Sequence, residues 1–357
     1  MRSLIILLKV LMRNVKYMIK TKITENFGIK YPIISAPMGP FYTTELTIAT
    51  SEAGGLGVLS HVTLRGKNPV KDFKAQIDYV VEHTDKPFGL NVRTARVQTD
   101  HKILIRKIAQ WRKENPKIRE QLIYGVTSAG SPRFAAEIWK EKAPDMYHFH
   151  VGPAIWLVDK IVKAGCDGIV ATGTEGGGHQ SYEMITTLVL LQQVIRKYPE
   201  KMIIACGGIA SPEGVAACIG MGADAVAMGT RFIASNQSEF HPNYKDLIPP
   251  AQARDTMLTT GGFGPIRLLK NKYCLEHDKL LSKEEKIAQE LSYDMDEFLE
   301  DLRRYEIVYT EGDIENGAIP VGQSCGLIDS LMDVDDIITT FTKEAEKILK
   351  TACSKIH

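Results

Sequence analysis

The sequence predicts an α/β protein, a (β/α)8 TIM barrel with a helical insertion after the eighth strand. Eight short runs rich in β-branched residues alternate with segments of helical periodicity, which indicates a parallel sheet whose strands are joined by helices. Eight is also the number of strands that closes such a barrel. A doubly wound sheet is the main alternative, but the first strand runs into Ala36-Pro37-Met38-Gly39-Pro40 and not into a G-x-G-x-x-G turn. The barrel is therefore the favoured fold.

Each element is recognised by its periodicity and by the residues that interrupt it. Gly54-Gly55 closes the first helix, and Ser211 followed by Pro212 supplies an N-cap and a first helical position. The predicted strands are residues 31–38, 56–61, 87–93, 121–127, 146–151, 168–171, 202–206 and 225–229. The predicted helices are residues 44–53, 69–83, 101–114, 132–142, 154–164 and 182–196, one that begins at 212, and a closing helix at 334–350.

The alternation stops after the eighth predicted strand. Residues 236–321 contain a Pro-Pro pair, a glycine-rich loop and a charged helical block, so we predict a helical insertion or lid over one end of the barrel. Residues 21–235 and 322–357 then form the barrel itself. Residues 1–20 are basic and apolar and precede most of the strand-like pattern, so we expect an N-terminal extension that is not part of the fold.

Composition argues against several classes of function. The 357 residues include 44 Lys and Arg against 43 Asp and Glu, and no stretch concentrates basic with aromatic side chains, so nucleic acid is not an expected partner. The uninterrupted apolar run at residues 4–8 is too short to cross a membrane. The six cysteines are scattered without a C-x-x-C pair, so we expect reduced thiols in the cytoplasm and no metal site.

Glycine-rich turns follow the last three predicted strands, where barrels of this type commonly bind phosphate. They are Gly177-Gly178, Gly207-Gly208 and Gly229-Thr230. Small residues let backbone N–H groups approach a ligand closely, and the Thr230 hydroxyl adds a donor. We therefore predict a nest for a phosphate monoester such as that of FMN, with plain tight turns as the alternative.

Two histidines, His148 and His150, lie two residues apart on the fifth predicted strand and so share one face. Tyr147, Phe149 and Val151 are assigned to the opposite face, toward the helices. This assignment places both histidines in the barrel interior, with His150 nearer the active end as a substrate contact. An H-x-H pair is half of a metal site, but no carboxylate or further histidine accompanies it at a recognisable spacing.

The glycine turn ending in His179 resembles a known signature. Residues 174–179, TEGGGH, resemble the E-A-G-G-H signature of nitronate monooxygenases and of FMN-dependent enoyl-acyl-carrier-protein reductases. The resemblance extends from about residue 22 to the last helix. Its other motifs are YPI and PM at 31–38, EAGGLG at 52–57, KPFGLN at 86–91, AGSP at 129–132, GGI at 207–209, GTRF at 229–232, HPNYK at 241–245 and GQSCGL at 322–327.

This resemblance implies a barrel that binds FMN without a covalent bond. Asn91 would hydrogen-bond the pyrimidine edge of the isoalloxazine, and His179 would be the catalytic histidine. Thr172 lies beside the flavin where family members often carry Gln or Glu, and Ser181 replaces a common glycine. The remaining expected cofactor contacts are Pro37 and Met38 along the ring and, for ribityl and phosphate, Gly177, Gly178, Gly207, Gly208, Ala227, Met228, Gly229 and Thr230.

The resemblance gives three functional hypotheses for a protein that acts on a small molecule. The first is an FMN-dependent nitronate monooxygenase that oxidises alkyl nitronates with O2, with His179 as base or anion-orienting group. The second is an FMN-dependent enoyl-thioester reductase, the only reading in which NAD(P)H is used. The third is a flavin-binding protein with little turnover. Monomer and homodimer both stay open.

Overall fold

Eight parallel strands form a closed barrel in the computed structural model, which describes residues 19–39, 41–61, 68–95, 100–262, 264–292 and 295–356. The barrel strands are β1 (Ile33–Ser35), β2 (Gly57–Leu59), β3 (Phe88–Arg93), β4 (Leu122–Ser128), β5 (Tyr147–Gly152), β6 (Gly168–Thr172), β8 (Met202–Cys206) and β9 (Ala225–Met228); β7 (Gly178–His179) lies outside the barrel. Around the sheet the strand order is β1, β9, β8, β6, β5, β4, β3, β2, and a bridge between Ile34 and Leu56 joins the two ends. The predicted TIM barrel is confirmed.

Helices follow the strands and cover the outside of the barrel. The helices before the insertion are α1 (Lys22–Phe27), α2 (Thr44–Glu52), α3 (Pro69–His83), α4 (His101–Glu114), α5 (Pro116–Gln121), α6 (Arg133–Lys142), α7 (Ile155–Ala164), α8 (Thr187–Lys197), α9 (Pro212–Met221) and α10 (Thr230–Ile233). The closing helix is α15 (Val334–Cys353). The expected N-cap is present, because Ser211 Oγ accepts a hydrogen bond from Gly214 N at 3.3 Å.

The segment expected to be a helical insertion contains helices and also a β-hairpin. The hairpin strands β10 (Thr256–Gly261) and β11 (Gly264–Leu269) pair with each other, and β11 pairs with the short strand β7 (Gly178–His179). The sequence signal for the hairpin is the glycine-rich loop, which the prediction treats as a loop without strands. The helices of this segment are α11 (Pro242–Asp246), α12 (Lys272–Glu276), α13 (Lys283–Ser292), α14 (Met295–Glu306) and a π-helical turn at Ile307–Glu311.

The N-terminal extension predicted over residues 1–20 falls mostly outside the described residues. Ile19 is 8% exposed and belongs to the core between the sheet and the outer helices. Lys20 is on the surface and forms an ion pair with Glu25 at 2.7 Å. The packed structure therefore includes these two residues, and residues 1–18 are not described.

The barrel interior is filled by side chains that alternate along the strands with those facing the helices. Phe149 is fully buried in this interior cluster, where its ring lies 5.2 Å from that of Tyr124 and 5.9 Å from that of Phe27. Phe27 comes from α1, which closes the amino-terminal end of the barrel. The expected orientation of β5 was therefore wrong: Phe149 faces inward.

The two histidines of β5 consequently face the helices. The Thr127 hydroxyl lies 2.8 Å from His148 Nε2 and 2.7 Å from His150 Nδ1, and the ring of His148 meets Trp139 edge-on at 4.9 Å. Burial lowers the pKa of each imidazole to about 3, so both are neutral. Phe149 occupies the barrel interior instead, because burial of a large apolar ring costs less desolvation free energy than burial of two imidazoles.

In the part of the chain that the structure describes, no helix combines the length and the apolar character that a bilayer span requires. The same residues contain no cluster of three or more potential metal ligands.

Candidate functional site

A cavity of about 370 Å³ opens at the carboxyl ends of the barrel strands. This is the size of a pocket for a small ligand and the position at which TIM barrels place their active sites. Most of the predicted cofactor residues and His179 line it together. The lining residues that the sequence predicted are Pro37, Met38, Asn91, Thr172, Gly177, Gly178, Gly207, Gly208, Ala227, Gly229 and Thr230.

One side of the cavity is a cradle of backbone formed by the turns after β6, β8 and β9. Gly207 and Gly208 adopt φ of 92° and 74°, a region that side chains disfavour. A Cβ at Gly177 would lie 2.6 Å from Gly322 N, so this turn packs directly against the backbone at Gly322, where the chain returns from the insertion to the barrel. Thr230 Oγ1 accepts a hydrogen bond from the same Gly322 N at 3.0 Å, which orients the hydroxyl at the cradle.

The geometry of the cradle fits a phosphorylated cofactor. Gly178 has φ of 81°, and a Cβ built there would meet no protein atom within 4 Å. A Cβ at Gly229 would meet only Met38 Sδ at 3.6 Å and Ala36 Cβ at 3.9 Å. The protein therefore leaves open space beside these glycines. A bound phosphate and the ribityl chain of FMN require such space next to backbone N–H groups. The residues present fit FMN.

The turn that carries these glycines is held by Glu175. Its Oε2 accepts hydrogen bonds from Thr187 N at 2.8 Å and from Thr187 Oγ1 at 3.0 Å, at the start of α8. A carboxylate at this point satisfies a free amide of the first helical turn and is favoured by the helix dipole. The same hydroxyl oxygen lies 2.8 Å from Gly207 O, so the turns after β6 and β8 meet at Thr187.

Asn91 lies on the opposite side of the cavity, in β3. Its side-chain nitrogen donates to Val126 O at 3.1 Å and to Ser128 Oγ at 3.2 Å. The amide nitrogen is thus used within the sheet, and the amide oxygen is the group left to accept a hydrogen bond from a ring N–H of a ligand.

His179 ends β7 and is held there by the hairpin of the insertion. It pairs with Ile266 of β11, and the next residue, Gln180, donates its backbone N–H to Pro265 O at 2.7 Å. A Cβ at Gly261 would lie 2.9 Å from His179 Nε2, so a glycine at this position of the hairpin leaves room for the imidazole. The sequence identified the histidine but not the hairpin that positions it.

The environment of His179 keeps its imidazole neutral. The side chain is exposed to the cavity, yet protein surrounds the cavity on most sides and removes the ring from bulk water. This desolvation lowers the pKa of His179, and the positive charges of Arg93 and Lys286 lower it further. A neutral imidazole is available at physiological pH to accept a proton or to donate a hydrogen bond.

Two of the predicted site residues do not line the cavity. Met228 is 1% exposed and its side chain packs among the residues between the sheet and the helices. His150 is fully buried on the helix side of β5, so its expected role as a substrate contact is not supported by this geometry. Both follow from strand alternation, because neighbouring residues of a strand face opposite sides.

The sequence reasoning missed Arg93, Tyr305 and Tyr309, which all line the cavity. The alternation of β3 contained a signal for Arg93, because it lies two residues after Asn91 and so shares its face. No comparable signal marked the tyrosines, which come from α14 and the π-helical turn of the insertion. The Tyr305 ring centroid lies 6.5 Å from that of His179.

The barrel and its cavity, taken with the family match, define a flavin-dependent oxidoreductase. The family profile described as nitronate monooxygenase matches residues 20–344. The chain belongs to the nitronate monooxygenase family. It is similar to a probable nitronate monooxygenase of Staphylococcus aureus, with 29% identity over 292 residues that span 72% of this chain and 80% of that protein.

Two further relatives extend the similarity. The structure of FabK from Thermotoga maritima superimposes with a TM-score of 0.78 and 31% sequence identity, covering 95% of this chain and all of that chain. A (3aS,4S,5R,7aS)-5-hydroxy-7a-methyl-1-oxo-octahydro-1H-indene-4-carboxyl-CoA dehydrogenase of Mycobacterium tuberculosis is 30% identical over 262 residues, which span 71% of this chain and 67% of that protein.

The glycine cradle gives a prediction with a matched control. Gly178→Ala and Gly165→Ala both place a Cβ at positive φ, 81° and 83°, with no protein atom within 4 Å. Each should lower the free energy of unfolding by about 1–2 kcal/mol through this strain. Only Gly178→Ala should also weaken FMN binding, by about tenfold or more, because its methyl group enters the space left for the ligand. Thermal unfolding and fluorescence titration with FMN measure the two effects, and equal FMN affinities in both variants would contradict the assigned cradle.

Proposed function

We propose that the chain is an FMN-dependent nitronate monooxygenase that oxidises alkyl nitronates with O2. The observation that carries the proposal is a neutral imidazole, His179, in the lining of a cavity that also contains a glycine cradle suited to phosphate. Membership of the nitronate monooxygenase family supports the same reaction.

We assign the cofactor contacts from the cavity lining. The backbone at Gly177, Gly208 and Gly229 would hold the phosphate, and the Asn91 side chain would accept from the ring. Bound there, FMN would supply the electron transfer and the reaction with O2, chemistry that no side chain provides. The apolar lower wall, which includes Val126 and Val170, would keep bulk water from the ring.

The role of His179 follows from its charge state. A neutral imidazole takes the acidic proton beside a nitro group or, with its own N–H, orients the oxygens of a nitronate. Tyr305 lies beside the imidazole and closes the cavity on that side. Because the hairpin and Tyr305 come from the insertion, that segment forms the wall against which the substrate would lie.

The proposal is tested by mixing the purified FMN protein, without oxygen, with NADH, NADPH, propyl-2-nitronate or an enoyl thioester and following the flavin absorbance. We expect fast bleaching with the nitronate and, once air is admitted, repeated turnover with O2 consumption. Fast bleaching by a pyridine nucleotide would reject nitronate oxidation as the main activity. Slow bleaching by every compound would favour a flavin-binding protein with little turnover.

A second candidate is an oxidoreductase that acts on an acyl thioester. The specific observation that favours it is the 30% identity to the mycobacterial protein whose name describes a carboxyl-CoA dehydrogenase. In that case the N–H of the neutral His179 would donate a hydrogen bond that orients the enolate oxygen of the thioester. The enoyl-thioester arm of the same experiment separates the two candidates, because only this one predicts reoxidation of the NAD(P)H-reduced flavin by the thioester.

A further inference from the structure

The charge of the cavity wall is one-sided. Among the cavity-lining residues within the described ranges, Arg93 is the one with a permanent charge, and no Asp or Glu lines the cavity. The guanidinium stays protonated at any physiological pH. The positive charge of Arg93 also acts on His179, which lines the same cavity. A ligand that enters this cavity therefore meets a positive potential close to the catalytic imidazole.

Arg93 enters the cavity from a different side of the barrel than the phosphate cradle. It ends β3, whereas the cradle follows β6, β8 and β9, and in the strand order β3 lies across the barrel from β8. Tyr305 and Tyr309 line the same cavity as Arg93. The two tyrosines belong to the insertion, so the guanidinium lies where the insertion meets the barrel, in the part of the cavity left for the substrate.

The position of Arg93 is fixed by its neighbours. Its backbone N–H donates to His61 Nδ1 at 3.0 Å, so the proton of that imidazole is on Nε2, which donates to Asp100 Oδ2 at 3.2 Å. A Cβ at Gly39 would lie 2.5 Å from Arg93 Nη2, so the guanidinium packs directly over the backbone of Gly39. A cation with a set position is suited to recognise two oxygens in one plane.

We propose that Arg93 is the specificity-determining residue that binds the anionic oxygens of the substrate, so that the enzyme selects the nitronate anion over the neutral nitroalkane. The proposal rests on the proposed function for its natural ligand. The anion-binding role of Arg93 itself does not require turnover. Planar O–N–O groups match the guanidinium, whereas a neutral nitroalkane gains little from a positive charge.

The experiment compares the FMN protein with the variants Arg93→Met, Arg93→Lys and Arg106→Met. Arg106 lies exposed on α4, where it stacks over Phe134, so it controls for the loss of one positive charge. Nitrate, which resembles the nitronate group but does not react, is titrated against the flavin absorbance. Arg93→Met should raise the Kd of nitrate by about 10- to 100-fold, as expected for the loss of a hydrogen bond to a charged group. Arg93→Lys should give a smaller rise and Arg106→Met none.

The same variants are then assayed with propyl-2-nitronate and with freshly dissolved 2-nitropropane. We expect Arg93→Met to raise KM for the nitronate by a similar factor and to change the kinetics of the neutral compound less than about threefold, well below that factor. Equal losses for both compounds, an unchanged Kd for nitrate, or loss of FMN from Arg93→Met but not from Arg93→Lys would overturn the proposal. If Arg93→Met weakens nitrate binding but the wild type turns over no nitronate, the proposed function fails and the anion-binding role of Arg93 stands.

Discussion

His179→Ala should lower kcat/KM for an alkyl nitronate by about 10²–10⁴-fold, the range that one positioned acid–base group contributes. The reason is that His179 is the one imidazole of the described cavity lining, and its desolvated ring is neutral and ready to act. Oxygen consumption with propyl-2-nitronate measures the loss. FMN content should stay at the wild-type level, because the assigned cofactor contacts are backbone groups of the glycine cradle and the Asn91 side chain, which the substitution does not remove.

The pH profile gives an independent check of the same residue. The pKa of His179 lies below its ordinary value of 6.5, so kcat/KM of the wild type should stay on its plateau as the pH falls through 6.5 and decline only in more acidic solution. His83→Ala, at an exposed histidine on α3, is the control and should leave activity unchanged. Full activity of His179→Ala would show that the histidine does not take part in the chemistry.

Phe149→Ala should lower the free energy of unfolding by about 3–5 kcal/mol, as expected for a large buried ring replaced by a methyl group. Phe149 is fully buried, and a Cβ at Gly168 would lie only 2.0 Å from its ring, so the space around the ring is closely filled. A cavity left in the middle of the barrel cannot collapse easily, because eight hydrogen-bonded strands surround it. Denaturant unfolding of the FMN protein measures the change.

Trp156→Ala is the comparison for Phe149→Ala. Trp156 is 44% exposed on α7, and its replacement should change the stability by less than about 0.5 kcal/mol. Phe149→Leu keeps most of the volume and should cost about 1.5 kcal/mol or less. A loss of under about 1 kcal/mol for Phe149→Ala would mean that the ring is not in the barrel core, since core truncations cost more.

Much of the fold could be predicted from the sequence because each strand and helix carries its own local signal. The helices at Pro69–His83 and His101–Glu114 begin and end where their periodicity and caps indicated. The helix expected from residue 182 begins at Thr187 instead, because Glu175 caps it there from a distant turn. A contact between residues twelve apart in sequence is not visible as periodicity.

The candidate site was also predictable from the sequence only in part. Glycine turns such as Gly207-Gly208 were predictable because their function depends on the absence of a side chain, which the sequence states directly. The orientation of β5 was not predictable, because Phe149 and its flanking histidines satisfy either face by pattern alone. Tyr305 and Tyr309 reach the cavity only through the packing of the insertion on the barrel, which is a property of the tertiary fold.

The backbone ladder between β7 and β11 has a consequence for engineering. Ile266 lies opposite His179, so the proposed catalytic imidazole and the hairpin beside the cavity share one set of main-chain hydrogen bonds. In an antiparallel pair, a slip of one residue exchanges the two faces of a strand. A chimera that grafts this hairpin from a relative with one residue more or fewer would therefore turn the imidazole away from the cavity. The hairpin and the position of His179 cannot be exchanged independently.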